Sequence, residues 1–273
     1  MTLAKDLFDS GELDAAIDQL TQEVRAHPTD TTQRTFLFEL LCFAGNWDRA
    51  ERQLDVLGGQ SAEAEVGVQV YKNNIKGERE RRRLFSEGIQ PHFFAEPPAY
   101  VDLLVAAINH IREGKLAEAR QMLDSAEEER PALLGRFNGK PFQDFRDSDD
   151  RVGPVLELTV RDKYTWLPFE QIKRLEITAP KRLRDLLWAP AIVETTDRTM
   201  GEVYVPALYE STSAHPNNQL KLGRMTDWRQ LSQDLHLTVG LRLFLVDGED
   251  TPLFEARSVE FDHPATPPGA AEG

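Results

Sequence analysis

Along roughly the first half of the chain, apolar positions recur at the three-to-four spacing of amphipathic helices. Leu13, Ile17, Leu20 and Val24 fall on one face, with Asp14, Asp18, Gln22 and Arg25 outside. Leu37, Leu40, Leu41 and Ala44 repeat the pattern, and Thr29-Asp30 after Pro28 offers a helix start. Three segments interrupt the helices in one way: a Gly, an apolar residue two positions on, and an Ala five positions on. They are Gly11, Leu13, Ala16; Gly45, Trp47, Ala50; and Gly114, Leu116, Ala119. Gly11 lies 34 residues before Gly45, and Gly45 lies 69 before Gly114, one and two periods of a tetratricopeptide repeat. The Gly ends a first helix in a turn that favours positive φ, and the Ala lets the second helix approach closely. Pro28 and Pro131 follow their glycines by 17 residues, where such a unit ends. After the break at Gly58-Gly59, Ser61 to about Phe85 reads as a longer helix without the turn signature, a degenerate repeat.

Near Gly135 the period changes. Gly135-Arg136-Phe137-Asn138-Gly139-Lys140-Pro141 is turn-rich, and alternation with period two follows. It is clearest from His236 to Val246, with Leu237, Val239, Leu241, Leu243 and Leu245 in alternate positions. Further strands are expected at Val155 to Val160, Leu175 to Thr178, Ala191 to Thr196, Glu202 to Tyr209 and Leu253 to Phe261, with one short helix from Lys181 to Trp188. Tight turn signals such as Asp247-Gly248-Glu249 favour antiparallel pairing over βαβ crossovers. The expected fold class is therefore α+β. All-α tetratricopeptide-like repeats occupy 1–135, a mostly antiparallel β domain with a short helix occupies 140–262, and a disordered tail occupies 263–273.

Charge narrows the partners. The 32 basic and 46 acidic side chains give a formal net charge of −14, a field that repels nucleic acid and anionic lipid. The one cysteine, Cys42, allows no internal disulfide. The start, Met-Thr-Leu-Ala-Lys-Asp-Leu, shows no basic region followed by an apolar stretch, and no apolar run reaches membrane-spanning length. A cytoplasmic protein that binds neither membrane nor nucleic acid is expected.

Catalytic and metal signatures are sparse. The sequence holds no His-Glu-x-x-His, Cys-x-x-Cys, Gly-x-Ser-x-Gly or phosphate-binding Gly-x-x-x-x-Gly-Lys pattern, and its six histidines are scattered. Asp144-Phe145-Arg146-Asp147-Ser148-Asp149-Asp150 has the carboxylates of a calcium loop but neither its glycine nor its terminal glutamate, so a solvated turn is the expectation. No metal or cofactor is expected. Arg79, Arg81, Arg82 and Arg83 stand out against the acidic background, either as a clamp for a partner's carboxylates or as a helix face paired with Glu78, Glu80 and Glu87. Trp166, Trp188 and Trp228, with Tyr164 and Tyr204, are expected mostly in the core, and Glu210 to Arg224 reads as a long polar loop.

Ordered motifs across nearly the whole chain resemble those of the ImpE family, also called SciE or TagJ, an accessory component of bacterial type VI secretion systems. They include Leu40-Leu41-Cys42 with Gly45-Asn46-Trp47-Asp48-Arg49-Ala50, then Glu96-Pro97-Pro98-Ala99-Tyr100. In the second half they include Gly153-Pro154-Val155-Leu156-Glu157, Tyr164-Thr165-Trp166-Leu167-Pro168-Phe169-Glu170, Leu183-Arg184-Asp185-Leu186-Leu187-Trp188 and Arg224-Met225-Thr226-Asp227-Trp228. The resemblance implies a cytoplasmic, non-catalytic adaptor. Its partners would be the small subunit of the contractile sheath (TssB/VipA-like), contacted through its N-terminal helical segment, and the ClpV unfoldase that recycles contracted sheaths.

The repeats point the same way, since hairpins that cannot bury an apolar face alone must stack and leave a concave surface lined by first helices. With the glycines in the turns, Thr32, Thr35, Glu39 and Phe43 of the second unit face inward, as do Val101, Leu104, Ile108 and Ile111 of the third. These are the expected partner-binding residues. A carrier for a secreted effector is the alternative in the same class of architecture. A hydrolase in the sheet half, drawing on Glu157, Glu170 or His236, would instead require those groups to meet in a cleft.

Overall fold

Each repeat glycine ends its helix with the same pair of backbone bonds. In a computed structural model, which describes residues 3–263, the amides of Gly11 and Glu12 reach back to the carbonyls of Phe8 and Leu7. Gly45 and Asn46 reach Cys42 and Leu41, and Gly114 and Lys115 reach Ile111 and His110. This is the Schellman turn, and it needs the left-handed conformation these glycines adopt, φ +88°, +68° and +75°. Ala16, Ala50 and Ala119 are all fully buried against the preceding helix.

The helical half runs α1 (Leu3–Asp9), α2 (Leu13–Ala26), α3 (Thr31–Phe43), α4 (Trp47–Gly58), α5 (Ala62–Glu87), α6 (Tyr100–Arg112) and α7 (Leu116–Glu129). Asp30 caps α3 by accepting from the amides of Thr32 and Gln33, and Ser61 caps α5 at Ala64. The long helix foreseen after Gly58-Gly59 is α5, which ends on left-handed Gly88. Among the described residues no helix is long and apolar enough to cross a membrane.

The second half opens with β1 (Gly135–Phe137), β2 (Lys140–Phe142), β3 (Phe145–Asp147), β4 (Val155–Val160), β5 (Lys163–Pro168), β6 (Ile172–Ile177), β7 (Trp188–Thr195) and β8 (Met200–Pro206). After a short helix, α8 (Asn218–Lys221), come β9 (Thr226–Ser232), β10 (Leu235–Gly240), β11 (Leu243–Val246), β12 (Glu249–Pro252) and β13 (Ser258–Phe261). One sheet has the order β2-β1-β13-β6-β7-β8-β4-β5, a second β10-β9 and a third β12-β11-β3. Every named pair is antiparallel.

Several local expectations change. The single strand from His236 to Val246 is two strands in different sheets, broken at Gly240, which turns with φ +93°. Leu253 to Glu255 is a 3-10 turn, so only Ser258–Phe261 of that stretch is strand. The helix expected over Lys181 to Trp188 is a 3-10 turn at Leu183–Leu186, and Trp188 begins β7. The loop from Glu210 to Arg224 contains a 3-10 turn and α8. Of the tail, His263 is tied down by a 2.7 Å bond from Nε2 to the carbonyl of Ile172; Pro264 to Gly273 lie outside the described residues.

The helices do not stack as one continuous solenoid. Residues of α1 to α5 share a core with Leu187, Trp188, Leu208 and Leu222 from the sheet half. The α6–α7 hairpin shares another with Leu84 of α5 and with Val155, Tyr164 and Trp166. Between them α5 crosses β4 and β5. The crossing is close at Gly77, where an added Cβ would stand 2.6 Å from Thr159 Oγ1.

Candidate functional site

The second repeat unit meets an occupant of its own chain. Seven consecutive residues of α3, Leu37 to Phe43, are buried, so the C-terminal half of the helix has no free inner face. Trp188 fills the space beside it, with ring centroids 6.5 Å from Phe38, 6.2 Å from Trp47 and 6.4 Å from Tyr71. The turn before Trp188 supplies Arg184, whose Nη1 bonds Glu39 Oε1 at 2.9 Å while its guanidinium lies 4.6 Å from the Tyr71 ring. Burial raises the Glu39 carboxyl above its usual range despite Arg184.

The expected partner-binding residues therefore separate into two groups. Phe43, Val101, Leu104 and Ile108 are core, none more than 3% exposed, and present no surface to a partner. The reason is tertiary: the 183–188 segment covers α3, and the sheet half covers α6. Ile111 and Thr35 are half-buried, Thr32 is exposed, and Glu39 is buried against Arg184.

Thr32 and Glu39 nevertheless line an open apolar groove of about 540 Å³. Its other walls are residues that the repeat pattern did not single out for binding: Lys5 and Phe8 of α1, Leu20 of α2, Gln33 and Phe36 of α3, and Leu183. Phe8 and Phe36 meet edge to face at 5.7 Å. Arg224 fixes α1 from the sheet half, with Nη1 and Nη2 accepted by the carbonyls of Asp9 and Phe8 and the guanidinium 5.2 Å from the Phe8 ring. Phe36 stands one helical turn after Thr32, so its place in the same groove follows from the spacing that nominated Thr32.

The groups a hydrolase would need are apart. Glu157 is 1% exposed and enclosed by Arg81, Arg242 and Tyr164. Burial opposes its charge, but the two guanidiniums outweigh it and hold the carboxyl well below the usual carboxylate range. Glu170 accepts from the Tyr100 hydroxyl at 3.1 Å, and His236 is exposed on β10. The run from Asp144 to Asp150 is not a solvated turn either. Asp144 pairs with Arg130, Asp147 with Arg242, Asp149 with Arg151, and Asp150 with both Arg120 and Arg146. Its carboxylates pair both with arginines of the run and its edge, Arg146 and Arg151, and with Arg120, Arg130 and Arg242 from outside it.

Comparison with known proteins agrees with this architecture. The family profile described as ImpE protein matches residues 139–260. A Pseudomonas aeruginosa protein named type VI secretion system accessory component TagJ is 36% identical over 260 residues, spanning 95% of this chain and 91% of that protein. The X-ray crystal structure of a Vibrio parahaemolyticus protein superposes with a TM-score of 0.89 at 26% identity, covering 97% of this chain and 99% of that one. On the strength of identity that extends through both halves of the molecule, the chain belongs to the ImpE family.

Proposed function

We propose that the protein is a cytoplasmic, non-catalytic adaptor of the type VI secretion apparatus. Its groove between α1 and α3 receives one face of the N-terminal helix of the small sheath subunit. Holding that helix biases when ClpV reaches a contracted sheath. The observation that carries this reading is the groove: an open apolar trough with Phe8, Phe36, Leu20 and Leu183 on its walls, the setting in which an amphipathic helix docks by burying apolar anchors. The name of the Pseudomonas aeruginosa relative supports the choice of apparatus, and the dispersal of Glu157, Glu170 and His236 supports a binding role over a hydrolytic one.

Fluorescence anisotropy with a labelled peptide, the N-terminal helical segment of the small sheath subunit from the same bacterium, tests it. Phe36→Ala removes a half-exposed ring from the groove wall and should weaken binding about tenfold, with the thermal midpoint near that of the wild type. Peptide affinity unchanged in Phe36→Ala and in Thr32→Glu would remove the groove from the account.

A further inference from the structure

The basic run on α5 does not form one surface. Arg81 points into the protein to Glu157, and Arg83 pairs with Glu87 at 2.9 Å. Arg79 turns toward α4, where its Nη2 meets Asp48 at 2.7 Å and Glu51 at 2.8 Å. Arg82 has no carboxylate partner among the described residues; its contact is the Ser213 hydroxyl at 3.4 Å.

Arg79 and Arg82 line a cleft of about 370 Å³ with Arg49, Arg52, Trp47 and one carboxylate, Asp48. Among the described residues Arg49 donates only to the Thr21 hydroxyl, at 3.2 Å, and makes no ion pair, and Arg52 makes neither a side-chain hydrogen bond nor an ion pair. Three guanidiniums that make no ion pair among the described residues thus share one cleft with a single carboxylate, Asp48, which Arg79 already engages, in a chain of net charge −14. Trp47 gives the cleft an aromatic wall held in place by Trp188, and Trp beside Arg is the composition of binding hot spots.

Arg79 shows what these guanidiniums take. Two carboxylates one helical turn apart, Asp48 and Glu51, converge on it. We propose that the α4–α5 cleft is a second docking site, separate from the apolar groove, for an acidic peptide segment of a partner polypeptide. Its carboxylates, spaced about a helical turn apart, pair with Arg49, Arg52 and Arg82 as Asp48 and Glu51 pair with Arg79.

The test is titration of fluorescein-labelled octaglutamate into the full chain at low and moderate salt. Binding that weakens with salt is expected, with a loss of about tenfold or more in the triple variant Arg49→Glu, Arg52→Glu, Arg82→Glu. The control triple Arg136→Glu, Arg229→Glu, Arg257→Glu makes the same change in net charge at exposed sites elsewhere and should bind within about twofold of wild type. The cleft triple should keep its affinity for the sheath-subunit peptide, which separates this site from the groove. If the triple fails to fold, Arg52→Glu alone, at an exposed arginine without partners, should lose about threefold. No octaglutamate binding by the wild type, equal loss in both triples, or displacement of octaglutamate by inorganic phosphate at equal charge concentration would each overturn the proposal.

Discussion

Arg81 of α5 and Glu157 of β4 face one another as a two-pronged ion pair in the interior, Nε to Oε1 at 2.8 Å and Nη2 to Oε2 at 3.0 Å. Both are at most 2% exposed. The pair joins the helical half to the sheet half, and it is one link in a larger network. Arg242 bridges Glu157 to Asp147, Tyr209 donates to Asp147 at 2.9 Å, and Trp166 donates to the Tyr164 hydroxyl, which itself donates to Glu157. Arg81 also donates to the carbonyl of Leu208 at 3.0 Å. Two charged halves of an interface are costly to bury singly and tolerable only together, so the network penalises any arrangement in which α5 leaves the sheet.

Removing one partner should expose that penalty. Arg81→Met keeps most of the side-chain volume but leaves Glu157 with one cation, Arg242, beside the Tyr164 hydroxyl, and should destabilise the fold by about 3 kcal/mol. Urea denaturation monitored by tryptophan fluorescence measures it. Arg81→Met combined with Glu157→Gln should cost less than the two single changes added together, since each single change strands a charge the other removes. A loss below about 1 kcal/mol in Arg81→Met would mean the pair contributes no more than a surface bridge.

Asp147 has the opposite pH signature from Glu157. Burial pushes its carboxyl up to about 6 despite Arg242. A folded-state value raised above the unfolded one stabilises the fold most at low pH, and that contribution fades as pH rises through the folded value. The stability gap between wild type and Asp147→Asn should therefore be wider at pH 4 than at pH 7.5, by about 2 kcal/mol. Chemical denaturation of both proteins at the two pH values is the measurement, and a gap that is constant or widest at pH 7.5 would contradict the sign. Glu157 works in the other direction: its lowered carboxyl contributes stability at neutral pH that is lost under acid.

What could be read from the sequence was local in its chemistry. The three Gly-turn-Ala signatures needed only a left-handed turn and a close helix pair, and both are decided within a few residues. The long α5 and the antiparallel sheet half were legible for the same reason. The groove was only half legible. Thr32 and Glu39 were placed by repeat spacing, but Phe8 and Leu183 complete it from segments whose approach no periodicity encodes. The spacing points Phe43, Val101 and Ile108 into an open trough because it does not show that Trp188 and Arg184 return to cover α3 or that Val155, Tyr164 and Trp166 cover α6. The Asp144–Asp150 run likewise reads as a solvated turn, because its partners Arg120, Arg130 and Arg242 are recognisable as partners only in the fold.

The contact of α5 with β4 can be tested by adding one carbon. Gly77→Ala would put Cβ 2.6 Å from Thr159 Oγ1 and 2.9 Å from its Cγ2. Thr159 is itself buried and cannot swing away. The strain should cost about 1–3 kcal/mol. Pairing Gly77→Ala with Thr159→Ala removes both opposing atoms, and the double variant should be more stable than Gly77→Ala alone. If the second change lowers the melting temperature further, the close approach is not what makes glycine necessary there.

The repeat glycines separate backbone strain from steric contact, because their surroundings differ while their φ values match. At Gly114 an added Cβ meets nothing within 4 Å, so Gly114→Ala should cost only the left-handed penalty of about 1 kcal/mol. At Gly45 the same carbon would lie 2.8 Å from Ser213 Oγ and 2.9 Å from Ser213 Cβ, an atom that moves only with its backbone, so Gly45→Ala should cost more. Gly11 falls between them, because its neighbour is the flexible end of Gln219. Thermal denaturation of the three single variants should rank them Gly45→Ala, Gly11→Ala, Gly114→Ala from most to least destabilised. If Gly114→Ala were the worst, its turn would be making a contact that this geometry lacks. Equal losses at all three would mean that the sheet half yields at Ser213, so that only backbone conformation preserves glycine in the turns.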